Sequence, residues 1–183
     1  MLSVVIATHD HERALLPTLA ALVPGAVAGV VHEVIVADAG SSDATAQIAE
    51  AAGCRILASK EGRGARLKAA AAVARAQWLL FVWPGFVPDS NWIDQVTRFV
   101  EDTERPGRST AAILIARSPV VRPTVSGMLA LLRAVLSPTP DAQQAMLVAK
   151  AHYDAIGGHR DVDAPERDLI RRVGRRHLVR FPG

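Results

Sequence analysis

Short, almost unbroken apolar runs alternate along this chain with segments whose apolar residues recur every three or four positions. Residues 2–7, 33–38, 54–58, 78–82, 111–116 and 145–149 are runs of the first kind and predict buried strands. Between them lie helical patterns. Leu15, Leu19 and Leu22 share one face of a helix over 13–23, which Pro24 and Gly25 are expected to end. Ser41 and Ser42 stand as N-cap candidates for a helix to about residue 52, stopped by Gly53. An alanine-rich helix is expected over 63–76. Pro88, Asp89 and Ser90 open another, with Trp92, Val96, Phe99 and Val100 inward. An amphipathic helix over 124–136 is bounded by Pro123 and Pro138. A short helix ends at Gly157 and Gly158, and a last one covers 165–176.

This alternation predicts an α/β fold: a mostly parallel sheet with helices on both faces, built as one domain over residues 1–183. In such sheets ligands bind beyond the carboxyl ends of the strands. That rule points to the loops at 8–12, 38–43 and 83–88. No repeat, linker or low-complexity segment divides the chain.

Composition narrows the class. Half the residues are hydrophobic and 21% are charged, a globular balance, and only 4% are aromatic, so the core should be aliphatic. The one cysteine, Cys54, excludes an internal disulfide, suits a reducing cytoplasm and reads as a small buried residue at a strand start. No apolar run resembles a signal core or a bilayer span. The segment from His159 onward holds seven arginines against four acidic residues, which accounts for the net charge of +3. That excess favours phosphate groups or the inner face of an anionic membrane, and its plainer reading is a solvated helix face.

Three of the loops carry a recognisable pattern. Residues 3–12 read Ser-Val-Val-Ile-Ala-Thr-His-Asp-His-Glu, and residues 33–45 read Glu-Val-Ile-Val-Ala-Asp-Ala-Gly-Ser-Ser-Asp-Ala-Thr. Residues 62–71 read Gly-Arg-Gly-Ala-Arg-Leu-Lys-Ala-Ala-Ala. Together with the strand at 145–149 and Ile156-Gly157-Gly158, they resemble the family 2 glycosyltransferases, which have the GT-A fold. The resemblance is good over about residues 3–100, looser over 143–176 and poor over 117–142. It sits nearest to small bacterial members.

The resemblance implies a nucleoside-diphosphate sugar as partner and transfer of the sugar to an acceptor hydroxyl with inversion. Asp38 stands where the family's carboxylate accepts hydrogen bonds from the nucleobase. The residue's other reading is a turn or cap aspartate. His9 holds the place of an aromatic residue that packs on the base, Ala7 and Thr8 would offer backbone atoms, and Gly40 makes the turn. Arg63, with Arg66 and Lys68, lies at a helix N-terminus suited to the diphosphate. Glu166 occupies the position of the base that removes the acceptor's proton; its other reading is an acidic first turn facing the helix dipole.

One feature departs from the pattern. The family's fourth strand ends in an acidic D-x-D-like triplet that holds magnesium or manganese on the donor phosphates. Here Trp83, Pro84 and Gly85 fill that position and supply no carboxylate. The divalent cation expected for the family therefore lacks its ligands. His9 and His11 on one loop make a poor substitute set. Two readings follow: weak or metal-independent transfer to an acceptor, lipid-linked as in related enzymes, or a non-catalytic binding or partner subunit. A dinucleotide-binding oxidoreductase is disfavoured, because the first strand lacks a glycine fingerprint. No P-loop, zinc spacing or nucleic-acid module is present.

Overall fold

The computed structural model describes residues 1–103, 111–115, 144–174 and 177–181. The helix expected over 124–136, and the side chains of Arg175, Arg176 and Arg180, lie outside the described residues. In chain order the elements are β1 (Leu2–Thr8), α1 (Glu12–Val27), β2 (Val31–Asp38), α2 (Thr45–Ala51), β3 (Arg55–Ala58), α3 (Arg63–Val73) and β4 (Trp78–Val82). There follow α4 (Trp92–Thr103), β5 (Ala111–Ile115), β6 (Gln144–Ala149), α5 (Lys150–Ala155), α6 (Pro165–Val173) and β7 (Leu178–Arg180).

The strands form one seven-stranded sheet in the order β3-β2-β1-β4-β6-β5-β7. β1 pairs in parallel with β2 and β4, β2 with β3, and β5 with β7. β6 runs antiparallel to both β4 and β5. β1 and β4 are buried at every position, as continuous apolar strands covered on both faces must be. Alternate residues separate into two cores. Val4, Ile6, Val36, Leu80 and Leu147 pack with α1 and α4. Val5, Ala7, Ile35, Phe81 and Val148 pack on the opposite face with α3 and α6. This is the mostly parallel, doubly covered sheet that the sequence predicts.

The first helix does not stop at Pro24. It runs on to Val27 with Pro17 and Pro24 inside, and Gly29, at φ 71°, makes the terminating turn. Gly25 is helical for a packing reason: a Cβ there would sit 2.5 Å from the ring of Trp92, which is buried against it. The last helix ends at Val173, short of Arg176, because Gly174 turns the chain at φ 77°. Leu178–Arg180 then adds the unpredicted edge strand β7. Three residues are too few for a two-residue periodicity to register.

Register brings the functional loops together. Thr8 lies opposite Asp38, Asp38 opposite Ala58, and Ile6 opposite Val82. The carboxyl ends of β1 to β4 therefore open on one edge. The order of connections reverses between β1 and β4, which is the crevice such sheets use for ligands. Because β6 is antiparallel to β4, its amino end joins that edge, with Met146 opposite Phe81.

Candidate functional site

The first two loops mainly serve each other. Asp38 is 3% exposed. Its Oδ1 accepts from Thr8 Oγ1 at 2.7 Å and from the Ser41 hydroxyl, and its Oδ2 accepts from the backbone N–H groups of Gly40 (2.9 Å) and Ser41 (2.7 Å). Those four bonds match the acceptor capacity of a carboxylate. Burial alone would raise its pKa, but the donors from Ser41, Thr8 and Gly40 outweigh it and hold the carboxyl below its ordinary value. Gly40 takes φ 88°, which the turn requires.

Ser41 and Ser42 do not cap α2, because both are engaged elsewhere. Ser41 Oγ accepts from Asp10 N, and Ser42 N donates to Asp10 Oδ1 at 2.7 Å. Asp43 starts α2 instead: its Oδ1 accepts from Thr45 N at 2.9 Å, while its Oδ2 accepts from Glu12 N at the start of α1. Glu12 answers by accepting from Ala44 N at 3.1 Å. Two helix starts thus cap one another through the side chains of the facing loop. Asp10 sits at φ 53°, a left-handed conformation that aspartate tolerates. His9 is exposed, its ring 4.0 Å from Asp10 Oδ2. Ala7 is buried in the core.

We expect Asp38→Ala to cost roughly 1.5–3 kcal/mol of stability in the absence of any nucleotide, since donors fixed on a charged acceptor lose it. Urea unfolding checks this; an unchanged midpoint would contradict the structural role.

The second part of the site is a cavity on the α3 face, at the ends of β4 and β6. It has a volume of about 100 Å³ and is lined in part by Arg63, Trp83, His159, Glu166 and Arg167. Arg63, the first residue of α3, lays its guanidinium carbon 3.0 Å from the centroid of the Trp83 ring. Its Nε donates to Glu166 Oε1 at 2.6 Å. Burial opposes the charge on Arg63 and lowers its pKa, and Glu166 offsets that effect only in part. The second oxygen of Glu166 is buried without a partner.

Arg66 is spent elsewhere. It is 9% exposed and its Nη1 donates to the carbonyls of Thr8 (3.0 Å) and Ala37 (2.6 Å), tying α3 to the ends of β1 and β2. Lys68 is exposed and does not line the cavity. Asp38, Thr8 and His9 do not line it either.

Trp83, Pro84 and Gly85 form a tight turn closed by Phe86 N donating to the Trp83 carbonyl at 3.0 Å, with Gly85 at φ 93°. Proline then glycine at the two central positions is the type II pattern. Gly85 N donates to Thr18 Oγ1 at 2.8 Å, which docks the turn on α1. These three residues offer a cation no side-chain oxygen, and a guanidinium already occupies the face of Trp83. Among the described residues no group of three or more His, Cys, Asp or Glu side chains could hold a metal ion. Magnesium or manganese does not fit this position.

His159, which is 2% exposed, stands in no motif that marks it in the sequence. It follows Gly157 and Gly158, on a segment held against the start of α3. A Cβ on Gly64 would collide with the carbonyl of Arg160, and one on Gly62 with the Asp161 carboxylate. Gly64→Ala should therefore displace the segment leading to Glu166, lowering stability by about 1–3 kcal/mol. Thermal unfolding would show it, and a wild-type melting curve would exclude it.

Sheet order, flanking helices and a cavity at the strand ends define a GT-A fold, that of the nucleotide-diphospho-sugar transferases. The profile described as glycosyl transferase family 2 matches residues 3–108. The chain belongs to that family. No curated protein matches it by sequence. Among solved structures it resembles glucosyl-3-phosphoglycerate synthase from Mycobacterium tuberculosis in complex with Mn2+, uridine diphosphate and phosphoglyceric acid. The TM-score is 0.64 at 20% identity, covering 98% of this chain and 67% of the synthase. A structure of the same synthase also holds uridine-diphosphate-glucose. It resembles S. aureus TarS 1-349 with a TM-score of 0.71 at 17% identity, covering 98% of this chain but 57% of that one. Among the described residues no helix is long and apolar enough to cross a membrane.

Proposed function

We propose that the protein binds a nucleoside-diphosphate sugar without a divalent cation and transfers the sugar to an acceptor hydroxyl with inversion. The observation that carries this reading is Arg63, set between the Trp83 ring and Glu166 at the amino end of α3. That helix has no side-chain cap, so its first N–H groups and the Arg63 guanidinium together favour a diphosphate. Uridine diphosphate is the first nucleotide to try, because the mycobacterial synthase binds it.

Glu166 is the base, and it is the one carboxylate among the described residues of the cavity lining. A single displacement needs only one. The acceptor oxygen attacks the anomeric carbon as its proton passes to Glu166. The bond from that carbon to the phosphate oxygen breaks, the electron pair leaves with the diphosphate, and Arg63 faces the charge that develops. Asp38, Gly40, Thr8 and Ala7 act by fixing the loop beside the nucleoside, and His9 offers it an exposed ring.

A second reading has one observation in its favour. The 2.6 Å ion pair occupies the base, as a subunit that binds but does not react would allow. Release of uridine diphosphate from uridine-diphosphate-glucose in EDTA separates the two. Turnover above the uncatalysed rate supports the enzyme, and binding without turnover supports the partner subunit. Peripheral membrane contact through the arginine-rich carboxyl-terminal segment belongs to the same proposal. Failure to sediment with anionic vesicles at low salt would remove it.

A further inference from the structure

The outer face of α1 carries no polar side chain beyond its first turn. From Leu16 to Gly29 every exposed residue is Leu, Val, Ala, Pro or Gly. Leu16, Val23 and Val27 are three of the five large hydrophobic residues that stand exposed among the described residues. Their spacing puts them in one stripe along the helix. Ala20 falls on the same stripe, which completes the four-three-four spacing of a helix-pairing seam. The opposite side of α1 is already in the core through Leu15, Leu19 and Leu22. A helix that is apolar all round belongs in a fully covered setting, and here one side is open. Beside the stripe, between α1 and α2, runs a trough of about 470 Å³ with no charged residue in its lining.

The surroundings select the occupant. Residues 14–54 contain no lysine or arginine and four carboxylates, Glu33, Asp38, Asp43 and Glu50. An anionic lipid surface would find no cation there to hold it. Residues 116–143 connect β5 to β6, whereas Val31 and Val34 of β2 line the trough, with β1 and β4 between β2 and β6 in the sheet. A second copy meets neither obstacle. It brings an uncharged face to an uncharged face, so no ion is stripped of water. Ridge and trough lie on one patch, which is what a two-fold contact requires, since each copy must offer both halves.

We propose that α1 is a pairing surface for a second copy of this chain, with the stripe of Leu16, Val23 and Val27 in each copy packed on the α1–α2 trough of the other. The 16-residue helix is about 24 Å long, and with α2 beside it each copy offers roughly 400 Å². That is about half of what a standard stable interface takes from each partner, so the pair is weak and reversible. Because α1 and α3 cover opposite faces of the sheet, pairing leaves the cavity open.

Sedimentation equilibrium of the full chain without nucleotide, from about 1 µM to about 1 mM, tests this. The average mass should rise from that of one chain toward twice that value. Over the same range the methyl signals of Leu16, Val23 and Val27 should shift, while those of Val162 and Val179 stay fixed. Val23→Glu, checked for folding by its melting curve, should raise the dissociation constant at least about tenfold, since pairing would bury its charge. Val162→Glu should leave it unchanged. A chain that stays single at the highest concentration would overturn the proposal, and co-sedimentation of that single chain with phosphatidylcholine vesicles would give the face to lipid instead. Association with fixed α1 methyl signals would overturn it too, by placing the contact elsewhere. If Val23→Glu does not fold, the wild-type mass and methyl shifts still decide. The outcome is independent of whether the protein transfers a sugar.

Discussion

Glu166→Gln is expected to do two opposite things. Sugar transfer should fall roughly 10²–10⁴-fold, the usual contribution of a positioned general base. Affinity for uridine diphosphate should rise about fivefold. In the wild type Arg63 is held by Glu166 at 2.6 Å, and on the proposed reading a diphosphate would compete with that carboxylate. Glutamine keeps the shape and removes the competing charge, releasing about 1 kcal/mol for the ligand. Steady-state turnover and calorimetry on one preparation check both halves. A variant that binds more weakly would mean that Glu166 holds Arg63 in its binding position. A variant that turns over normally would remove Glu166 from the chemistry.

The second large effect is on stability against pH. His159 is neutral when folded, with a pKa near 3, against 6.5 when free. Below 6.5 the unfolded chain takes a proton that the folded chain refuses. The stabilisation is thus complete above pH 6.5 and is lost as pH falls toward 3, at about 1.4 kcal/mol per unit. Tyr153, Arg63, Arg172 and Asp168 are the groups that bear on it. Of these Asp168 already pairs with Arg171 and Arg172, and its pKa lies below its ordinary value, so it stays charged between pH 7 and pH 5. Between pH 7 and pH 5 the wild type should lose about 2 kcal/mol more than His159→Phe. Urea unfolding at the two values measures the difference; parallel losses would mean that His159 is charged in the folded state.

The fold was legible because its signals are local. β1, β2 and β4 are continuous apolar runs, and such runs are strands only when both faces are covered. α1 misled because Pro24 and Gly25 are local stop signals, while the reason to continue is distant: Trp92 fills the space above Gly25. The same distinction separates the parts of the site. Glu166, Arg63 and the Trp83-Pro84-Gly85 departure were visible as positions, but the stack and ion pair join residues 20 and 103 positions apart. Asp38 shows the reverse. Its place at a strand end suggested a ligand contact, whereas its neighbours Thr8, Gly40 and Ser41 occupy both oxygens. His159 was missed because one histidine after two glycines carries no pattern; only its burial beside Tyr153 gives it meaning.

On the proposed reading the Arg63 guanidinium, fixed by covalent structure and by the Trp83 ring, takes the place of a cation, and binding should then not respond to chelators. Calorimetric titration with uridine diphosphate, in EDTA and in manganese, for the wild type and Arg63→Ala, tests this most directly. Equal affinity in the two buffers, with a loss of roughly 10–100-fold in the variant, is the predicted result, the scale of charge-assisted hydrogen bonds. Binding that appears only with manganese, or that survives removal of Arg63, would contradict it.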